Sequence, residues 1–198
     1  MSNTAAPRSA RKTSTTTDLA LIATFAALIA VCSVSAALPI GINGVPITLQ
    51  VFAVFLTGAV LGMKRGLFTV LLYLAVGAAG LPILAGGLSG IAPFTGPTAG
   101  YLVSFPIAAA LIGFIVEQVR HRGVAVTAAV AAVAGVLGEI VVYALGALGI
   151  IAFASMTTSA AFKGALTYVP GDLIKIAAVA FVAAAVHRAF PALLTKRD

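Results

Sequence analysis

The chain has 198 residues, of which 61% are hydrophobic and only 9% charged, with a net charge of +7 and no tryptophan. This composition excludes an ordinary soluble domain and places the chain among integral membrane proteins. A single cysteine, Cys32, excludes an intrachain disulfide, and the two histidines, His121 and His187, form no cluster with metal-ligand spacing.

Residues 1–17 are polar, with Arg8, Arg11 and Lys12, and are expected to form a disordered cytoplasmic tail. A basic tail before an apolar run resembles a signal peptide, and Val34-Ser35-Ala36 resembles a cleavage site. The run from Leu19 to Leu38 is nevertheless long enough to span a bilayer, so it is read as the first span, with Cys32 as a packing residue. Further apolar runs follow at Pro46–Met63, Gly66–Leu84, Pro97–Val116, Val124–Phe153 and Tyr168–His187. Backbone groups in lipid must be satisfied within the segment, so each spanning run is expected to be helical. The expected fold is therefore all-α: a polytopic bundle of six transmembrane helices over residues 18–190, with residues 191–198 as a second cytoplasmic tail.

The basic residues fit that count. Arg8, Arg11 and Lys12 precede the first span, and Lys64 and Arg65 separate the second from the third. Arg120 and Arg122 separate the fourth from the fifth, and Arg188, Lys196 and Arg197 follow the sixth. Ten of the twelve basic residues thus fall on one side, the exceptions being Lys163 and Lys175. The positive-inside rule then puts both termini in the cytoplasm of a cell-membrane protein. With the basic charge explained by topology and lipid headgroups, nucleic acid is not needed as a partner.

The connections on the opposite side are mostly apolar and uncharged. The loop after span one, Pro39 to Gln50, holds the Asn43-Gly44 turn signal and ends on Gln50, read first as an interhelical hydrogen-bonding residue. The loop after span three includes Gly86, Gly87, Ser89 and Gly90 and continues through Gly96-Pro97-Thr98-Ala99-Gly100-Tyr101. Glycines there let backbone approach a ligand closely, as a lid would, although a re-entrant turn closing the bundle has the same composition. No phosphate-cradling G-x-x-x-x-G-K-[ST] pattern occurs.

The last span carries the most informative residues. Asp172 and Lys175 lie three apart and share a helix face, about 6 and 10 Å along the helix from Tyr168 at 1.5 Å per residue. Each would cost roughly 2.5–3.5 kcal/mol at a helix centre on an insertion scale, and such residues usually mark a substrate or ion site. The pair suits a neutral or zwitterionic ligand with both donors and acceptors; simple mutual pairing near a helix N-terminus is the plainer alternative. Glu139, midway along span five, is read as a packing carboxyl beside Gly135 and Gly138, the alternative being a proton carrier. Ala23, Ala27, Ala26 and Ala30 give span one small-x-x-x-small spacing, suited to close helix contact inside the bundle or with another membrane protein.

Four motifs in order carry a resemblance over nearly the whole chain after the tail. They are Val45-Pro46-Ile47-Thr48-Leu49-Gln50, Gly80-Leu81-Pro82 followed by Ala85-Gly86-Gly87, Gly96-Pro97-Thr98-Ala99-Gly100-Tyr101, and Val169-Pro170-Gly171-Asp172-Leu173-Ile174-Lys175. Together they resemble the BioY family, the biotin-binding S components of energy-coupling factor (ECF) transporters. The resemblance implies an outward-facing biotin pocket under the loops after the first and third helices. Asp172 and Lys175 would contact biotin, with Gly86, Gly87, Ser89, Tyr101 and Gln50 as further candidates. It also implies that Ala23, Ala26, Ala27 and Ala30 face a coupling membrane protein, and that coupled uptake needs two ATPase subunits. No cofactor is implied; biotin is the cargo. A proton-coupled or stand-alone carrier for biotin or another small vitamin is the alternative. An enzyme is not expected, because no paired catalytic carboxylate, zinc motif or activated nucleophile is present.

Overall fold

The computed structural model describes residues 15–35, 45–119 and 122–194. Among these residues the regular structure is helical: α1 (Thr15–Ser35), α2 (Gln50–Leu61), α3 (Met63–Ala78), α4 (Ala99–Glu117), α5 (Val124–Ala154), α6 (Thr158–Ala165) and α7 (Val169–Ala189). Short 3-10 turns stand at Ala85–Gly87, Ala92–Thr95 and Pro191–Leu194. The all-helical expectation agrees with this architecture. Four helices, α1, α4, α5 and α7, are long and apolar enough to cross a membrane. The other two expected spans are shorter here: α2 has 12 residues and α3 has 16, or about 18 and 24 Å at 1.5 Å per residue.

The differences from the sequence-based boundaries have local causes. Gly62 breaks the run between α2 and α3 with φ 82°, a conformation open to glycine. The third run stops at Ala78 rather than Leu84, because Gly80 has φ 111° and Pro82 cannot continue the hydrogen-bond ladder. Thr15, Thr16 and Thr17 belong to α1 rather than to a disordered tail. Pro191–Leu194 likewise form a turn. The tail expectations for 1–14 and 195–198, and the Asn43-Gly44 turn, lie outside the described residues. A further helix, α6, lies between the fifth and sixth expected spans; Thr157 starts it by accepting a hydrogen bond from the Ala160 N–H.

The helices expose large apolar residues outward, among them Val133 and Ile140 on α5 and Ile174 and Phe181 on α7. That surface suits lipid. With hydrocarbon outside, helices associate through packing and polar contacts rather than through apolar burial. Glycines supply the packing. A Cβ on Gly58 of α2 would strike the Ala109 backbone of α4, and one on Gly113 of α4 would strike the Gly62–Met63 backbone. Gly100 of α4 lies against the Leu145 and Gly149 backbone of α5.

Polar contacts add specific ties. Asp18 of α1 pairs with Arg65 of α3 at 2.8 Å, and Arg65 also donates to the Leu193 carbonyl at 2.7 Å. His187 of α7 lies 2.8 Å from the Ala59 carbonyl of α2. The buried Tyr73 hydroxyl is the densest node. It accepts from Gln50 Nε2 at 2.8 Å, donates to the Ile83 carbonyl at 3.1 Å and lies 2.9 Å from Ser33 Oγ. One phenol thus joins α1, α2, α3 and the loop after α3. Tyr73→Phe is expected to lower stability by about 1–3 kcal/mol by leaving these partners unsatisfied, measured by thermal unfolding of the purified protein in detergent. A Tm equal to that of the parent would contradict this role.

Candidate functional site

α7 begins where α6 ends in a tight turn. Pro170 sits in its first turn, where a missing N–H is harmless. Asp172 follows and is buried, its carboxylate accepting from Lys175 Nζ at 2.8 Å through Oδ1 and from Tyr143 Oη at 2.7 Å through Oδ2. Tyr143 comes from α5, which reaches α7 closely because Gly135 gives space to Ile176. The carboxylate therefore has one cation and one neutral donor. A carboxylate offers about four lone-pair positions, so acceptor capacity is left over.

These groups stand on the wall of a recess. Val45, Ile47, Thr48, Gln50 and Val51 line it from the approach to α2 and its first turn. Ala85 and Thr98 line it from the segment between α3 and α4, Tyr101, Leu102 and Phe105 from α4, and Glu139, Val142 and Tyr143 from α5. Tyr168, Asp172 and Lys175 complete the wall. The space between these side chains, counted out into the open mouth, is about 540 Å³. The wall is mainly apolar with a few convergent polar groups, the pattern of a ligand site.

Tyr101 is placed by a glycine on the facing helix. Its ring fills the position that a Cβ on Gly146 would need. The Tyr101 hydroxyl is buried without a hydrogen-bond partner, and so are both carboxyl oxygens of Glu139. Tyr168 instead donates to the Val45 carbonyl at 2.9 Å, fixing the approach to α2 over the start of α7.

The structure brings together four of the seven candidate ligand-binding residues: Asp172, Lys175, Tyr101 and Gln50. The Gln50 amide is already committed to Tyr73, as the plain interhelical reading expected. Gly86, Gly87 and Ser89 do not line the recess; their neighbour Ala85 does. Gly86 and Gly87 have φ 69° and 81°, so these glycines turn the chain rather than face the cavity. That loop folds back on α3, with Gly90 N–H donating to the Gly77 carbonyl at 2.8 Å and Leu84 packed on Gly77. Of the four alanines of α1, Ala23 and Ala27 are exposed, Ala30 is half-buried and Ala26 is buried in the bundle. The sequence reading passed over Tyr143 and Tyr168, and set Glu139 aside as a packing residue. A tyrosine one helical turn beyond Glu139 was the available signal. Among the described residues no group of three His, Cys, Asp or Glu side chains could hold a metal.

Apolar helices long enough to cross a membrane, around a recess with an ion pair in its wall, define a membrane protein with a recess suited to a small molecule. Comparison with known proteins is specific. The chain belongs to the BioY family, whose sequence profile matches residues 5–192. It is 42% identical over 187 residues to the biotin transporter BioY of Rhodobacter capsulatus, covering 91% of this chain and 98% of that one. Identity to the biotin transporter BioY of Rhizobium etli is 37% over 181 residues, covering 90% and 97% of the two chains. The fold superposes on a crystal structure of the S-component for biotin from an ECF-type ABC transporter with a TM-score of 0.79 and 27% identity, covering 87% of this chain and 92% of that one.

The ion pair can be tested without a ligand. Removing one partner of a buried pair leaves an uncompensated charge, so Lys175→Met is expected to cost about 3–5 kcal/mol. The double variant Asp172→Asn/Lys175→Met should recover much of that loss. Thermal unfolding in detergent measures both, and equal Tm values for the single and double variants would show that the pair is uncoupled.

Proposed function

We propose that this chain takes up biotin across the cytoplasmic membrane as the substrate-capture subunit of an ECF-type transporter. It is a transport protein, not an enzyme. The observation that carries the reading is the recess itself, where a donor–acceptor pair, Lys175 and Asp172, stands in an apolar wall. Biotin is complementary to it. Its ureido ring offers two N–H donors and a carbonyl acceptor, and its fused rings and aliphatic chain can pack on Val45, Leu102 and Phe105. Asp172 accepts from an N–H group, and Lys175 donates to a carbonyl or carboxylate oxygen. Tyr101 supplies a further hydroxyl.

In this reading α1 to α5 and α7 are the six membrane spans, both termini are cytoplasmic, and the recess opens outward. Support comes from the charges: Arg65, Arg122 and Arg188 stand at the helix ends away from Gln50, Tyr101 and Asp172. Energy has to come from elsewhere, because the chain has no nucleotide-binding motif, and the likeness to an ECF S-component points to a coupling membrane protein with two ATPase subunits. The exposed Ala23 and Ala27 give α1 a small-residue stripe, flanked by Leu19 and Val31, for that partner. The loop between α3 and α4, tied to α3 through Gly77, covers the recess through Ala85.

Calorimetric titration with biotin tests the reading. The parent should bind tightly, and Asp172→Asn and Lys175→Ala should each lose about 10- to 100-fold in affinity, the loss expected when a charged hydrogen-bond partner of a buried ligand group is removed. A folded parent that fails to bind biotin would overturn the assignment. In cells, uptake should fall when the coupling protein is absent; undiminished accumulation would favour the stand-alone carrier.

A further inference from the structure

Glu139 is 6% exposed and lies midway along α5, yet neither carboxyl oxygen has a hydrogen-bond partner among the described residues. Burying a polar group without a partner is costly, and burying an unpaired charge far more so. Native structures rarely tolerate such a group without a reason. Its nearest polar neighbours are the Asp172 carboxylate and the Tyr143 hydroxyl, and both already hold other partners. Asp172 and Lys175 of α7 are engaged with each other, Tyr143 donates to Asp172, and Tyr101 of α4 makes no bond to it.

The surroundings narrow the choice of partner. On one side Glu139 borders an almost wholly apolar groove between α5 and α7, walled by Val136, Ile140, Leu173 and Ile176. On the other it lines the recess. A polar partner beyond these neighbours can therefore come only from the recess.

We propose that Glu139 is a ligand-binding residue that reads, as a neutral carboxylic acid, one N–H/C=O edge of a cyclic urea. This rests on the biotin reading and deepens it. A ureido group has two such edges, since two N–H groups flank a carbonyl with two lone pairs. Asp172 and Lys175 can satisfy one edge, as acceptor and donor. The second edge needs another adjacent acceptor and donor. A carboxylic acid presents both, its O–H donating to the carbonyl while its C=O accepts from the N–H. With one cation in the wall already matched to one carboxylate, a neutral acid also keeps the site's charge balanced. Glu139 then discriminates: a ligand without the second N–H leaves its carbonyl oxygen unpaired in an apolar wall.

The test compares Glu139→Gln with Glu139→Leu, titrating the purified full chain with biotin. Glutamine keeps a donor and an acceptor, so Glu139→Gln should bind within about fivefold of the parent, whereas Glu139→Leu should lose roughly 30- to 100-fold, the cost of leaving two buried ligand groups unpaired. Apo melting temperatures establish that both variants are folded. A Glu139→Gln loss as large as that of Glu139→Leu would overturn the proposal, since it would show that a carboxylate is required. Parent-like binding by Glu139→Leu would overturn it also. Either result leaves the biotin assignment standing, whereas a parent that does not bind biotin removes both.

Discussion

The structure depends on keeping an aspartate and a lysine inside a helix that enters a membrane. Asp172 is buried and holds Lys175 at 2.8 Å and Tyr143 at 2.7 Å. Neither charge could stay there alone, because an uncompensated ion in an apolar wall is far costlier than a matched one. The pair therefore imposes conditions on its surroundings. α5 has to present a hydroxyl to α7, which needs the two helices close together. Gly135 allows this by giving way to Ile176. α7 also has to begin just before the carboxylate, and Pro170 in its first turn allows that start. A site of this kind is costly to build, and it leaves a matched donor and acceptor in the wall of an apolar recess.

The second constraint is steric. In lipid, apolar burial does not draw helices together, so closeness comes from missing side chains. Along α4, Gly100 meets α5 and Gly113 meets the α2–α3 junction, while Ala109 receives Gly58 of α2. These contacts hold α4 against both neighbours. Between them stand the large residues of the same helix, Tyr101, Leu102 and Phe105, which line the recess. Tyr101 occupies the space that Gly146 leaves open. The glycines thus do two jobs with one property. They seal the bundle where backbones touch and fix an aromatic wall where they do not.

The sequence made the helical class and the ion pair legible, because both follow from strong signals. Apolar runs with charges only at their ends have few other readings, and two opposite charges three apart in the last run share a face by helix geometry alone. Helix ends were less legible. α2 and α3 are shorter than their apolar runs, because Gly62 and the Gly80-Leu81-Pro82 turn end helices inside segments that hydropathy alone would continue. Within the site, Tyr143 and Tyr168 were harder to read, because a tyrosine in or at the start of an apolar run carries no charge that marks it out. Only the three-dimensional approach of α5 to α7, and of α7 to Val45, gives them partners. Gly86 and Gly87 are ambiguous for the converse reason. Glycines in a loop permit close approach to a ligand and permit turns equally well, and here their positive φ values serve the turn.

The recess and the loop beside it are tied together through the buried Tyr73 hydroxyl. Gln50 lines the recess, but its amide nitrogen is spent on the Tyr73 hydroxyl. That hydroxyl in turn holds the Ile83 carbonyl and meets Ser33 of α1. Ile83 lies two residues before Ala85, which itself faces the recess. The wall, the loop and α1 therefore share one buried phenol, and none can shift far without breaking a hydrogen bond made by the others. A buried polar network is stable only while every member is satisfied. That requirement makes this node a rigid brace between the recess wall, the loop and α1.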